Sequence, residues 1–209
     1  DVTAVLVCDN SIQNILLLFA IQNTGMKLVL INDKNHQNDI LNIINTQKNP
    51  CLVFASESKM LQVENLVCVE ELFNYTEKKQ IHFKPSQKAA AVIFPTSGTT
   101  GASKLIQKKE GAFYWFRSFT DLVTYTGIYK QKSVFIAVPV SHGFGYTALM
   151  FSLVLGKKAV VAANKDWNQK ADIILQEKAE LIAGVPTSLF YLAEKLKGKN
   201  HQVGLIISG

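Results

Sequence analysis

The chain is poor in cysteine and proline and has no long apolar run, and each shortage narrows what it can be. Its three cysteines, Cys8, Cys51 and Cys68, are odd in number and sit inside apolar runs. That excludes a disulfide framework and points to small buried thiols in a reducing, cytoplasmic setting. None lies near a second Cys or a His at ligand spacing, so no metal site is expected. Five prolines and 12 glycines exclude collagen-like and low-complexity sequence. The most apolar stretch near the start, residues 15–21 (ILLLFAI), is far short of the ~20 residues a bilayer requires. With no basic segment before it, it reads as a buried helix, not as a transmembrane segment or a secretion signal.

What is present is a folding chain. Of 209 residues, 48% are hydrophobic, enough apolar surface to offset chain entropy and exclude disorder. The length suits one large domain or two small ones. Charge is uneven: residues 1–70 hold four lysines against seven acids (−3), and residues 71–209 hold 18 basic residues against nine acids (+9). The lysines are scattered singly or in pairs with no arginine-rich stripe, which favours solvated surface or an anionic small molecule over nucleic acid.

Short β-branched runs alternate with longer amphipathic stretches, the pattern of a parallel α/β architecture. Strands are expected at 2–8, 27–31, 51–55, 66–69, 89–94, 133–138, 158–162, 180–183 and 203–207. Helices are expected at 12–23, 39–46, 70–75, 112–126, 146–155, 167–178 and 187–197, with Asp9-Asn10-Ser11 offering N-cap chemistry for the first and Gly25 and Gly198 as C-terminal caps. Around the aromatic residues 113–116 and Phe119, positions 112, 115, 116 and 119 share one face at helical spacing and read as a buried helix face. Polar, basic residues 76–88 read as a connector between a first α/β subdomain, 1–75, and a second, 89–209.

The chemistry concentrates in residues 95–104, PTSGTTGASK, directly after the apolar run AAAVIF. Gly98 and Gly101 allow positive φ and close backbone approach, so successive N–H groups can turn towards an anion. Thr96, Ser97, Thr99 and Thr100 add uncharged donors, and Lys104 a mobile positive charge. Together they form a cradle for a polyphosphate. It is not a Walker A loop, which has four residues between its glycines and Lys-Ser/Thr immediately after the second.

The run TSGTTGASK resembles the phosphate-binding signature of the adenylate-forming superfamily, which includes acyl-CoA synthetases, luciferases and the adenylation domains of peptide synthetases. Residues 2–32, the segment VPVSHGFGYTALMFSLVLGKKAVV, the segment AELIAGVPTSLFYLAEKL and the closing LIISG resemble successive parts of the same proteins, so the resemblance spans essentially all of the chain. It departs at the loop's exit, where Ala102-Ser103-Lys104-Leu105 replaces the usual Pro-Lys-Gly.

The resemblance implies mostly parallel sheets flanked by helices, an incomplete version of the family's large N-terminal domain. It implies an ATP-dependent ligase that joins a carboxylic acid to AMP and then to a thiol of coenzyme A or of a carrier protein's phosphopantetheine arm. Thr96, Ser97, Gly98, Thr99, Thr100 and Gly101 would hold the phosphates, with Mg²⁺ bridging phosphate oxygens. Lys104, the catalytic candidate, would neutralise the leaving pyrophosphate. His142, Gly143, Phe144, Val185, Pro186 and Thr187 would line the acyl pocket, His142 as a wall or gate and not as a base. His36, His82 and His201 carry no supporting pattern and read as surface. Without acids at 139–146 or 185–188 to pair an amino group, a fatty or aryl acid is favoured. The same resemblance implies that these residues are a fragment, inactive alone. The competing expectation is a non-catalytic nucleotide-binding or scaffold module on the same fold.

Overall fold

The computed structural model describes residues 2–57, 59, 61–74, 86, 90–96, 104–107, 120 and 123–209, with Thr96 and 104–107 described by their backbone alone. The chain divides into two compact units, residues 1–108 and 109–209.

The first unit holds strands β1 (Thr3–Cys8), β2 (Lys27–Asn32), β3 (Cys51–Ala55), β4 (Leu66–Cys68), β5 (Val92–Thr96) and β6 (Lys104–Gln107), in sheet order β4-β3-β1-β2-β5-β6. All pair in parallel except β6, which returns antiparallel to β5. Every residue of β1 is buried, as expected of a central parallel strand covered on both faces. Alternate residues Val5, Val7, Val29, Ile31, Val53 and Ile93 gather with Ile40, Ile43 and Ile44 of helix α2 (Gln37–Asn45). Helix α1 (Ile12–Asn23) contacts β1 and β2 from the opposite face and buries Leu17, Leu18 and Ile21. Each such aliphatic side chain contributes about 1.5–3 kcal/mol on burial. Local chemistry sets the ends of α1. The Ser11 hydroxyl accepts from the Asn14 N–H at 3.3 Å, Asp9 Oδ1 accepts from Ser11 N–H, and Gly25 leaves the helix at φ 74°. A short helix, α3 (Val69–Asn74), follows β4.

The second unit holds β7 (Ser133–Ile136), β8 (Lys158–Val160), β9 (Leu181–Gly184) and β10 (Leu205–Ser208), all parallel, in order β10-β9-β7-β8. Phe135, Val160 and Ile182 pack with Ile174 of α5 (Trp167–Gln176) and Leu192 of α6 (Pro186–Leu196). Helix α4 (Gly143–Val154) contacts β7, β8 and β9. Helix α5 starts on a capping box, in which Asp166 accepts from the Gln169 N–H and Gln169 answers to the Asp166 N–H.

Parallel sheets flanked by helices are therefore the architecture, and the helix expected at 12–23 has those bounds. The helix expected at 146–155 begins earlier, at Gly143, and the strand expected at 89–94 spans Val92–Thr96; two further differences concern topology. The pattern puts β5 in a second subdomain beginning at 89, but β5 hydrogen-bonds to β2, so the first unit extends through residue 108. Strand β6, four residues long, has no counterpart among the expected strands, because its pairing with β5 is tertiary and its own pattern is too short to register. The connector 76–88 (apart from Ser86), His82 and most of the helix expected at 112–126 lie outside the described residues. Among the described residues no helix is long and apolar enough to cross a membrane.

Candidate active site

Strand β5 runs parallel to β2, with Leu28 opposite Val92 and Val29 opposite Ile93. The chain therefore leaves β5 at the carboxyl end of the first sheet, where parallel α/β sheets present their loops to ligands. It returns through β6, and the outermost antiparallel partners are Thr96 and Lys104. Directly opposed Cα atoms in such a ladder lie about 4.5–5.5 Å apart. The hairpin thus holds the first and last residues of the expected phosphate cradle side by side at the loop's neck. Ser97, Gly98, Thr99, Thr100 and Gly101 lie outside the described residues.

The second unit brings the other candidates to the carboxyl end of its own sheet. From β7 the chain moves to β8 on one side and then to β9 on the other, so the order reverses between β7 and β9. A crevice opens at such a switch point. His142, Gly143 and Phe144 follow β7; Val185, Pro186 and Thr187 follow β9. His142 is the N-cap of α4 without a side-chain capping bond, and its carbonyl accepts from Tyr146 N–H at 2.9 Å. It stands at the surface, and partial desolvation holds its pKa below the ordinary imidazole value. Gly143 faces open space. The Phe144 ring lies so close to Gly209 that a Cβ there would sit 2.6 Å from it. Val185 caps α6, Pro186 occupies its first turn, where a missing N–H is harmless, and Thr187 is exposed beside it. Beside His142, the buried hydroxyl of Ser141 has no hydrogen-bond partner among the described residues.

An apolar cavity of about 150 Å³ lies beneath α4. Phe144 lines it; His142, Gly143, Val185, Pro186 and Thr187 do not. Its other walls, among them Thr147, Ala148, Phe151, Leu181, Ala183 and Ile207, are not among the residues the sequence singles out. The signal is present as spacing: 144, 147, 148 and 151 share a helix face, and 181 and 183 share a strand face. What no spacing announces is that two such faces leave a gap between them.

A second cavity, of about 460 Å³, lies in the first unit at the ends of β3 and β4. There Glu70 accepts hydrogen bonds from the Ser56 hydroxyl, the Glu57 N–H at 2.9 Å and the Cys68 thiol. These bonds, that from Ser56 foremost, hold its pKa at about 2. Burial and neighbouring Asp9 raise the pKa of Asp33 at the end of β2. Burial pushes the Cys8 thiol far up, so it is an inert core residue. His201, expected at the surface, is half-buried with Nε2 2.8 Å from the Ala179 carbonyl oxygen. No group of three or more His, Cys, Asp or Glu able to hold a metal ion occurs among the described residues.

A sequence profile of the family described as AMP-binding enzyme matches residues 1–206. The 2-succinylbenzoate–CoA ligase of Bacillus subtilis is 26% identical over 211 residues, covering 99% of this chain and 43% of that protein. The Bacillus pumilus enzyme of the same name is 27% identical over 197 residues, covering 92% of this chain and 40% of its own. The chain spans less than half the length of these curated relatives. Among solved structures, o-succinylbenzoate CoA synthetase from Bacillus subtilis with its acyl-adenylate intermediate aligns with a TM-score of 0.78 over 99% of this chain and 55% of that one. At 24% identity, that is a likeness of fold.

Proposed function

The chain belongs to the AMP-binding enzyme family, and from that premise we propose that it carries the phosphate-binding loop and acyl pocket of an ATP-dependent acid–thiol ligase. A carboxylate oxygen attacks the α-phosphorus of ATP, the bond to the β-phosphate breaks, and pyrophosphate leaves. A thiol sulfur then attacks the acyl carbon and AMP departs. The names of the relatives support coenzyme A as the thiol donor over a carrier protein's phosphopantetheine arm.

The observation that carries this reading is the β5–β6 hairpin, which sets Lys104 opposite Thr96 at the neck of a Gly/Ser/Thr loop. Backbone N–H groups and hydroxyls of residues 96–101 take the β- and γ-phosphates, and Lys104 neutralises charge that grows on the leaving pyrophosphate. In such reactions, groups already in place around the developing charge supply most of the acceleration. Mg²⁺ would enter with ATP and supply positive charge against the phosphates. His142, whose pKa partial desolvation lowers, serves as a wall of the acyl entrance and not as a base.

ATP–pyrophosphate exchange tests the assignment. In the intact protein, Lys104→Ala should lower exchange by about a hundredfold or more, the scale seen when one charge-stabilising donor is removed. Unchanged exchange would refute the role of Lys104. A protein that binds ATP yet shows no pyrophosphate exchange, whichever carboxylic acid is supplied, would favour the non-catalytic module.

A further inference from the structure

The cavity under α4 bears on which acid is activated. It extends along α4 from Phe144 to Ser152, eight residue steps of helix or about 12 Å along the axis. Its floor is Leu181 and Ala183 of β9 and Ile207 of β10. The two hydroxyls on its helix wall both donate to carbonyls of the helix itself, Thr147 to Gly143 at 2.6 Å and Ser152 to Ala148 at 2.7 Å. Among the described residues no charged side chain lines it. Those residues therefore offer neither a cation nor a free donor to a second carboxylate.

Volume narrows the occupant further. The cavity measures about 150 Å³, and an apolar cavity of roughly that size lined by Leu, Ile and Phe stays dry and admits benzene. Phe144, on its wall, stands in the first turn of α4 with its ring against Gly209, which follows β10. We infer that the acid activated here carries an uncharged, ring-sized apolar group, as benzoate does, which enters this cavity while its carboxylate stays at the carboxyl end of the sheet. This rests on the acid-activating reading above. It separates the chain from its relatives named for 2-succinylbenzoate, a dicarboxylate whose second charge would find no partner among the described lining residues, at a steep free-energy penalty.

Two measurements on the intact protein test it. In thermal denaturation, toluene at aqueous saturation should raise the midpoint of the wild type. It should do so much less in Ala148→Leu or in the milder Ala183→Val, both of which fill the cavity. In ATP–pyrophosphate exchange, kcat/KM for benzoate should exceed that for 2-succinylbenzoate by at least about tenfold. Ala148→Leu should lower the benzoate-to-acetate ratio of kcat/KM by about tenfold or more, a readout that general misfolding leaves unmoved because acetate has no ring to seat. The inference falls if 2-succinylbenzoate matches benzoate, if that ratio is unchanged, or if toluene stabilises the filled variants as much as the wild type. Exchange with none of these acids, alongside toluene binding that the filled variants lose, would sink the ligase reading and leave the apolar cavity as a ring-binding site.

Discussion

Replacing Gly145 with alanine should invert the usual ranking of the two residues in a helix. Gly145 lies in the first turn of α4, and in a helix interior alanine is favoured over glycine by about 0.8–1 kcal/mol. Propensity alone predicts stabilisation. The tertiary surroundings predict the reverse: a Cβ at 145 would lie 2.1 Å from the Pro139 carbonyl oxygen, 2.7 Å from its carbon and 3.2 Å from Val138 Cγ2. The two nearest atoms are backbone, and the Pro139 carbonyl is already engaged by the His142 N–H at 3.1 Å. Relief therefore requires the 139–142 turn or the helix to move by about 1.4 Å, since non-bonded atoms settle near 3.5 Å. Overpacking of this kind destabilises by about 1–3 kcal/mol, occasionally more. A clash with backbone belongs at the upper end, so a net loss of about 2 kcal/mol remains after the propensity gain. Urea denaturation followed by circular dichroism measures it as a lower midpoint at unchanged slope. Gly143→Ala, two residues earlier with nothing within 4 Å of its Cβ, is the control and should be neutral or slightly stabilising. A Gly145→Ala midpoint equal to or above wild type would refute the packing argument.

Asp166→Ala removes the side-chain half of the α5 capping box and should destabilise by about 1 kcal/mol in the same denaturation assay; an unchanged midpoint would mean that the box contributes nothing. The pKa of Glu70 is held at about 2, below its ordinary 4.5, so its stabilising effect is present above pH 4.5 and is lost as pH falls towards 2. Because Glu70 is exposed, the effect is worth under about 1 kcal/mol. Glu70→Gln should flatten that part of the acid limb, and an identical pH profile in the variant would contradict the assignment. Iodoacetamide at pH 8 should label Cys8 only after unfolding, given its burial and raised pKa; peptide mass spectrometry finding it labelled in the native state as fast as Cys68 would overturn its place in the core.

Much of this molecule is written in local order. The burial of β1 through Cys8, the Ser11 cap, the bounds of α1 and the turn at Gly25 all follow from residues within a few positions of one another, and backbone sterics, capping and periodicity act at that range. The class of fold is legible for the same reason, and the candidate phosphate cradle at 96–104 stands out because its glycines, hydroxyls and lysine crowd into a few positions. Tertiary structure alone decided that β5 joins β2, that residues 104–107 become a strand, and that the chain divides after residue 108. Strand pairing satisfies N–H and C=O groups on segments distant in sequence, and nothing within one strand names its partner. Only the packed unit shows why residue 145 must be glycine, since the obstacle is the carbonyl of Pro139 folded back over the helix. Only the packed unit discloses the cavity, because a void belongs to two surfaces that fail to fill the space between them, and each surface taken singly is an ordinary apolar face of α4 or of the sheet.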